Sequence, residues 1–246
     1  MPVMNIQWVL ALLGCMALSA PAQERVIGDF GGAFYSTQKI VHSTGSTSLT
    51  LPYAYFDYGR VYTRVDTVGV KTMRVGSGHL ELAARISFEG FSSDAPGLHG
   101  IAARTNPMPL GVGTYQETPW GALFAYSFYD PSSGGLLHEL TYAAEFQVGA
   151  LSVYPQLGVE HRTQKYVQHL YGVSTQEALA SGLGAYSATA SDTPVLAMAL
   201  EWPLDEAWHI NVQWRRRWLD RAITQSPLVF AQRQDSGFLA LTRSFK

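Results

Sequence analysis

Residues 136–162, LLHELTYAAEFQVGALSVYPQLGVEHR, contain two runs in which apolar and polar residues alternate. In the first run Leu140 and Phe146 share one face, while Glu139 and Glu145 share the other. Successive side chains of a β-strand point to opposite sides, so each run predicts a strand with one apolar and one polar face. Only Gly149-Ala150 separates the runs, which predicts a tight turn between neighbouring antiparallel strands.

The same alternation recurs around residues 79–90, 194–202 and 207–219. Each run is about 9–11 residues long, which is the length that crosses a bilayer as a tilted strand. Strands of soluble proteins average about 5–6 residues. A soluble β-sandwich is the alternative, because its strands also alternate. Strand length favours a transmembrane barrel, which turns apolar residues to lipid and polar residues to its lumen.

The composition agrees with a surface that faces lipid. Of the 246 residues, 15% are charged, against roughly 25% in soluble domains. The formal net charge is −2 and no basic stripe is present, which argues against a nucleic-acid partner. Trp120, Trp202, Trp208 and Trp218 fall at predicted strand ends, as in the aromatic girdles of membrane barrels.

The first 22 residues have the pattern of a signal peptide. They contain no Asp, Glu, Lys or Arg, and residues 8–18 form an apolar run. The run is followed by Ala20-Pro21-Ala22, an A-x-A pattern that predicts cleavage before Gln23. We therefore expect two regions, a signal peptide over 1–22 and an outer-membrane β-barrel over 23–246.

Cys15 is the only cysteine in the chain and lies within this leader. Lipid attachment at Cys15 is an alternative, but the apolar residues after it favour an ordinary leader residue. A mature chain without cysteine has neither a disulfide nor a thiolate metal ligand, which suits an oxidising compartment. No later window approaches 18 consecutive apolar residues, so we expect the chain to cross the membrane with strands.

Ten strands are expected in an all-β, closed, antiparallel transmembrane barrel, with twelve as the alternative. We predict them near 27–37, 50–58, 60–70, 79–90, 119–130, 136–148, 151–162, 194–202, 207–219 and 237–245.

This count makes a prediction about the two ends of the barrel. When the N-terminus is placed in the periplasm and strand directions alternate, the long segments 163–193 and 220–236 lie outside the cell, as is usual for the long loops of outer-membrane barrels. Segment 91–118, rich in Gly and Pro, falls in the periplasm, where a long loop is unusual. It is therefore expected to fold inward or to contain one more hairpin.

Charged residues on the predicted polar faces are candidates for the lumen. One interpretation is a selective channel lined by charge; the other is a lumen plugged by ion pairs. Plugging is favoured, because side chains just fill a barrel of about 8 strands and ten add little room. The candidate lumen residues are Glu81, Arg85, Glu89, Glu139, Glu145, Glu160, Arg162, Arg215 and Arg217.

No motif for catalysis, a metal or a cofactor is found. None of the seven histidines lies in a G-x-S-x-G elbow, and neither H-x-x-x-H nor H-E-x-x-H occurs. We therefore expect no catalytic, metal or cofactor-binding residues and no enzyme activity. A hydrolase on the barrel rim, using His169 or His209, is the minor alternative.

Three blocks of the sequence resemble the MltA-interacting protein family of outer-membrane proteins, MipA/OmpV. They are LPYAYFDYGRVY over 51–62, YGVS over 171–174 with ASGL over 180–183, and the segment from Trp214 to Val229. The second block is the most specific. It supplies these family-like loop residues: Tyr171, Gly172, Val173, Ser181, Gly182, Leu183 and Tyr186.

The resemblance implies an integral outer-membrane protein of a Gram-negative bacterium. The name-giving member is viewed as a scaffold that links a murein-degrading transglycosylase to a murein-synthesising enzyme, and the family defines no catalytic residues. The expected role is therefore scaffolding, with outer-membrane lipid and a periplasmic murein hydrolase or synthase as partners. A small pore or uptake channel is the alternative. The sequence leaves the oligomeric state open.

Overall fold

The computed structural model describes residues 25–42, 46–95 and 97–245. The predicted leader, Cys15 and the cleavage residues Ala20, Ala22 and Gln23 lie outside these ranges. Within them the chain forms one antiparallel sheet that closes on itself through the pairing of β10 with β11. Its strands are β1 (Ile27–Gln38), β2 (Ser46–Tyr58), β3 (Val61–Arg64), β4 (Thr67–Val75), β5 (Gly78–Arg85), β6 (Leu110–Thr118), β7 (Gly121–Asp130), β8 (Gly135–Ala144), β9 (Phe146–Val148), β10 (Leu151–Arg162), β11 (Ser191–Pro203), β12 (Trp208–Trp218) and β13 (Arg233–Phe245).

The sheet is a twelve-position barrel. Strands β8 and β9 both pair with β10 and so occupy one position, interrupted at Glu145. The predicted closed antiparallel barrel is confirmed, and so is the alternative of twelve strands. The count of ten is wrong for two reasons that lie in different parts of the chain.

The first reason is a turn inside the predicted strand 60–70. Strands β3 and β4 pair as a hairpin, with Arg64 opposite Thr67. Val65, between them, has a φ of 62°, a left-handed conformation that a β-branched residue rarely adopts. Its backbone N–H donates to the carbonyl oxygen of Ala54 at 2.9 Å. The turn consists of Val65 and Asp66, and Asp66 is its single turn-type residue, so the sequence signal for this reversal is weak.

The second reason lies in segment 91–118, whose last part is strand β6. The prediction that this segment lies at the opposite end of the barrel from segment 163–193 is also wrong. Residues 86–109 lie at the same end of the barrel as segment 163–190, because Arg104 contacts Glu177 at 2.8 Å and Glu89 contacts Arg162 at 2.9 Å. The unrecognised turn at Val65 reverses the direction of β4 and β5 relative to expectation. The additional strand β6 restores the expected parity from β7 onward.

The two ends of the barrel differ in their connections. Turns of two to four residues, at 59–60, 76–77, 119–120, 149–150 and 204–207, lie at one end, the short-turn end. Segments 86–109, 163–190 and 219–232 lie at the other, the long-loop end. Outer-membrane barrels place short turns in the periplasm and long loops outside the cell.

The strand faces follow the alternation in the sequence. On β10, Leu157 is 67% exposed and points outward, while Glu160 is 3% exposed and points into the lumen. A continuous apolar exterior is unfavourable in water and suits lipid. Outward apolar side chains at least one-third exposed include Phe30, Phe34, Leu82, Leu110, Val112, Leu140, Met198, Val212, Leu239 and Leu241.

Three short helices stand in the long-loop segments: α1 (Gln164–Tyr171), α2 (Thr175–Ser181) and α3 (Arg221–Thr224). A capping box begins α2, since the Ser174 hydroxyl accepts from the Glu177 N–H while the Glu177 carboxylate accepts from the Ser174 N–H. Gly182 ends α2 with a φ of 75°, which only glycine adopts without strain. In the part of the chain described, no helix is long and apolar enough to cross a membrane.

A capped lumen as the candidate functional site

A folded cap covers the long-loop end of the lumen. We use the name cap for segments 86–109, 163–190 and 219–232. Its apolar residues form one buried core with residues of the barrel wall, such as Phe128 and Leu137, so the cap is packed against the barrel. The buried cap residues are Phe91, Leu98, Ile101, Tyr166, Val167, Leu170, Tyr171, Val173, Ala188, Ile223, Leu228 and Val229.

Hydrogen bonds join the three cap segments to one another. Arg104 donates to Glu177 at 2.8 Å, which links the first segment to α2. The Tyr186 hydroxyl donates to the carbonyl oxygen of Ala222 at 2.9 Å, and the Ser226 hydroxyl donates to that of Tyr171 at 2.6 Å. Both bonds link the second segment to the third. The cap is therefore one cross-braced unit.

The family-like loop residues lie in this cap. Tyr171 and Val173 are buried in its core. Val173 and Tyr186 pair their backbones in an isolated β-bridge. Around Gly182, the Leu183 N–H donates to the Ser181 hydroxyl at 3.2 Å. These contacts give the family-like block a role in building the cap, since most of its polar groups are satisfied within it.

A buried charge cluster lies directly below the cap. We use this name for Glu89, Glu160, Arg162, Arg215 and Arg217. Glu160 accepts from Arg162 at 2.9 Å and from Arg217 at 3.1 Å, and it also contacts Arg215. Glu89 accepts from Arg162 at 2.9 Å and from Arg217. Two carboxylates thus hold three guanidinium groups in a network that joins the cap to β10 and β12.

The other predicted lumen charges are distributed along the barrel. Arg85 contacts Glu139 in a second inward-facing pair. Glu81 is buried and accepts from the Tyr126 hydroxyl at 2.5 Å. Glu145 is exposed at the break between β8 and β9 and contacts none of these groups. Glu89 belongs to a cap segment and reaches the lumen by the fold of that segment, not by strand alternation.

Lys39 and Gln234 also lie beside the buried charge cluster. Neither residue was predicted from the sequence. The Lys39 ammonium group donates to the carbonyl oxygens of Phe88 and Gly90, each at 2.9 Å. Burial lowers the pKa of Lys39, although the Glu89 carboxylate opposes this shift. Gln234 contacts Arg217 and donates to the carbonyl oxygen of Gln38 at 2.7 Å. Neither residue belongs to a sequence motif.

Two cap carboxylates have pKa values far below the ordinary 4.5. Burial alone would raise the pKa of Glu89, but Arg162 and Arg217 outweigh it and lower the pKa to about 2. For Glu177, burial is likewise outweighed by hydrogen bonds from Ser174 and Arg104, and its pKa is also about 2. The folded state therefore favours the ionised form of both groups.

This difference predicts how stability depends on pH. A carboxyl group with a depressed pKa stabilises the fold above its unfolded pKa of about 4.5 and loses that contribution as the pH falls toward its folded pKa. We expect the urea midpoint to fall between about pH 4.5 and pH 2. A double variant, Glu89→Gln with Glu177→Gln, should show a shallower fall. A midpoint that rises over this interval would contradict the assignment.

The histidines of the rim-hydrolase alternative do not share a site. His169 lies in α1 within the cap, whereas His209 lies at the short-turn end, where it contacts Ser244 at 2.9 Å. These two positions are at opposite ends of the barrel. Across residues 25–42, 46–95 and 97–245, no group of three or more His, Cys, Asp or Glu residues is arranged to hold a metal ion.

An apolar exterior, a closed antiparallel barrel and a charged interior define an integral outer-membrane β-barrel. The profile of the MltA-interacting protein MipA family matches residues 30–245, and the chain belongs to that family. The family likeness inferred from the three sequence blocks is thus confirmed.

Relatives with assigned names agree with the location in the outer membrane. The putative outer membrane protein YiaT of Escherichia coli K12 is 26% identical over 216 residues, covering 86% of this chain and 87% of its own. The MltA-interacting protein of the same strain is 28% identical over 128 residues, about half of each chain (51% and 52%). Outer membrane protein Omp26La of Vibrio anguillarum is 23% identical over 216 residues, covering 82% and 80%.

Two solved structures align with most of this chain at low sequence identity. An anion-selective porin from Comamonas acidovorans aligns with 89% of this chain and 98% of its own, at 8% identity and a TM-score of 0.35. Neisserial surface protein A aligns with 90% and 99%, at 10% identity and a TM-score of 0.25.

Proposed function

We propose that this protein is a scaffolding barrel that binds a murein enzyme from the periplasm. The observation that carries the proposal is the cap. A cross-braced cap and the buried charge cluster fill the long-loop end of the lumen, which leaves the short-turn end as the accessible face. The family relative whose name states an interaction with MltA supports a protein partner.

The short turns are the proposed contact surface. Segment 91–118 forms part of the cap and β6 and so does not belong to this surface. Trp120, in the turn between β6 and β7, is 76% exposed, and Leu204, in the turn between β11 and β12, is 53% exposed. Exposed tryptophan side chains often anchor protein interfaces, and Leu204 adds exposed apolar area at the same end of the barrel.

A pull-down of the mature barrel in detergent with lytic transglycosylases tests this proposal. We expect the enzyme to be enriched relative to an unrelated barrel of similar size. Replacing Trp120 and Leu204 together by serine should reduce the enrichment several-fold. Leu179→Ser, which changes an exposed residue of the cap, is the matched control and should leave enrichment unchanged. No enrichment over the unrelated barrel contradicts the scaffold.

The proposal requires the short turns to face the periplasm, and labelling can test this. Leu179 is 84% exposed on α2 in the cap. We expect Leu179→Cys to react with a membrane-impermeant maleimide on intact cells. Asp205→Cys, in a short turn, should react only after the outer membrane is permeabilised. The reverse pattern would mean that the short turns face the outside of the cell, and the proposed periplasmic contact surface would then be wrong.

A small channel is the second candidate, and the polar lumen is the observation in its favour. Inward residues on β12, such as Asn211 and Gln213, are polar. However, the cap core and the buried charge cluster occupy the path of a solute. We expect planar-bilayer recordings of the wild-type protein to show no stable conductance steps. Regular steps would favour the channel over a sealed scaffold.

A further inference from the structure

A cavity of about 340 Å³ opens in the short-turn half of the lumen, at the opposite end from the cap. We call it the vestibule. Binding pockets for small ligands begin at about 300 Å³, so the vestibule can hold a small organic molecule. The side chains that define its chemistry are Tyr55, Tyr115, Phe124, Tyr154, Glu117 and Glu145.

Strand register brings these side chains together. Tyr115 of β6 pairs with Phe124 of β7, and their ring centroids lie 5.2 Å apart. The Tyr115 hydroxyl lies 3.5 Å from the Glu117 carboxylate. Glu145 lies between β8 and β9, which both pair with β10, at the position across from Tyr154. Aromatic walls and carboxylates therefore occur at the same depth of the lumen.

Guanidinium groups outnumber carboxylates in the buried charge cluster, whereas carboxylates are in excess in the vestibule. Asp57, near the vestibule, has two basic partners, Arg64 at 2.8 Å and Lys71 at 3.1 Å. Among the residues that the structure describes, Glu117 and Glu145 form no ion pair with Lys or Arg. The vestibule therefore presents two carboxylates that have no direct ion-pair partner among the described residues.

The aromatic wall already contacts a cation from within the chain. The Arg64 guanidinium carbon lies 4.5 Å from the centroid of the Tyr55 ring, within the range of a cation–π interaction. Tyr55 is 42% exposed, so part of its ring remains open to the cavity. The faces of Tyr115, Phe124 and Tyr154 add π surfaces of the same kind around the cavity.

We propose that the vestibule binds a small organic cation that carries primary amine groups. The carboxylates provide charge-assisted hydrogen bonds to ammonium groups, and the rings contact the cation and its methylene chain. A hydrated metal ion would gain little from aromatic walls, and the described residues include no group of three metal ligands. This site lies inside the lumen, next to the turn that carries Trp120, and binding there does not depend on a protein partner.

Calorimetric titration of the detergent-solubilised mature protein with spermidine tests the proposal. We expect saturable binding. Glu117→Gln combined with Glu145→Gln should weaken it by about tenfold or more, because two charge-assisted contacts are removed. Tyr154→Leu should weaken it several-fold, because it removes a ring while retaining an apolar side chain.

Asp205→Asn combined with Glu206→Gln is the matched control. It removes the same number of charges from a short turn whose residues do not line the vestibule, and it should leave spermidine affinity unchanged. If this control weakened spermidine binding as much as the Glu117 and Glu145 double variant does, binding would reflect general charge attraction and the proposed site would be wrong. The same would follow if Mg²⁺ displaced spermidine equally well. Absence of saturable binding to the wild-type protein would overturn it as well.

Discussion

Replacing Glu160 by glutamine should lower the free energy of unfolding by about 3–5 kcal/mol, the range for breaking a buried ion pair by removing one charge. Glu160 is 3% exposed and contacts Arg162, Arg215 and Arg217. Without its charge, Arg162 and Arg217 share the single carboxylate of Glu89, and Arg215 loses its carboxylate partner. The cost is large because Arg162 and Arg217 stay buried with too few partners.

Urea unfolding in lipid vesicles, followed by tryptophan fluorescence, measures this loss. Glu206→Gln is the control, because Glu206 is exposed in a short turn, and its unfolding free energy should change by less than about 0.5 kcal/mol. If the two variants were equally stable, the buried charge cluster would not hold the cap to the barrel wall.

Replacing Leu157 by arginine should also destabilise the protein, by about 2–4 kcal/mol, the range for an arginine on the lipid face near the middle of the bilayer. Leu157 is 67% exposed near the centre of β10. In a water-soluble protein, arginine at so exposed a position would cost little. The expected loss arises from transfer of a guanidinium group into hydrocarbon, so it reports directly on lipid contact.

Leu179→Arg provides the matched control. Leu179 is even more exposed, at 84%, but lies on α2 in the cap. The same chemical change there should alter stability by less than about 0.5 kcal/mol. Both variants are compared by urea unfolding in the same vesicles. Similar effects at the two positions would mean that the β10 face does not contact lipid.

Strand faces were predictable because the alternation has a period of two and needs no knowledge of distant residues. Glu139, Glu160 and Arg162 lie inside the barrel as their alternation predicts, whereas Leu140 and Leu157 lie outside. The strand count was not predictable in the same way. At the reversal a β-branched residue, Val65, takes the left-handed position beside Asp66, so the alternation of residues 60–70 resembles one strand.

The sequence predicted most of the charged residues that form the candidate site, but it did not predict which of them contact one another. Alternation selected most of the lumen charges, but it could not pair them. Glu145 has the same pattern as Glu139 and also faces the lumen, but it lines the open vestibule without a basic partner, whereas Glu139 contacts Arg85. Lys39 was missed because its partners are backbone carbonyl groups of the cap, and such contacts leave no pattern in the sequence.

The sequence by itself determined that this protein is a membrane barrel, with lipid-facing and lumen-facing sides assigned residue by residue. Only the tertiary structure decided that the barrel has twelve positions and that its long loops fold into a cap. The physical reason is the distance along the chain between the residues that interact. Strand alternation is local, whereas barrel closure and cap folding bring together residues as distant as Glu89 and Arg217, which are 128 positions apart in the chain.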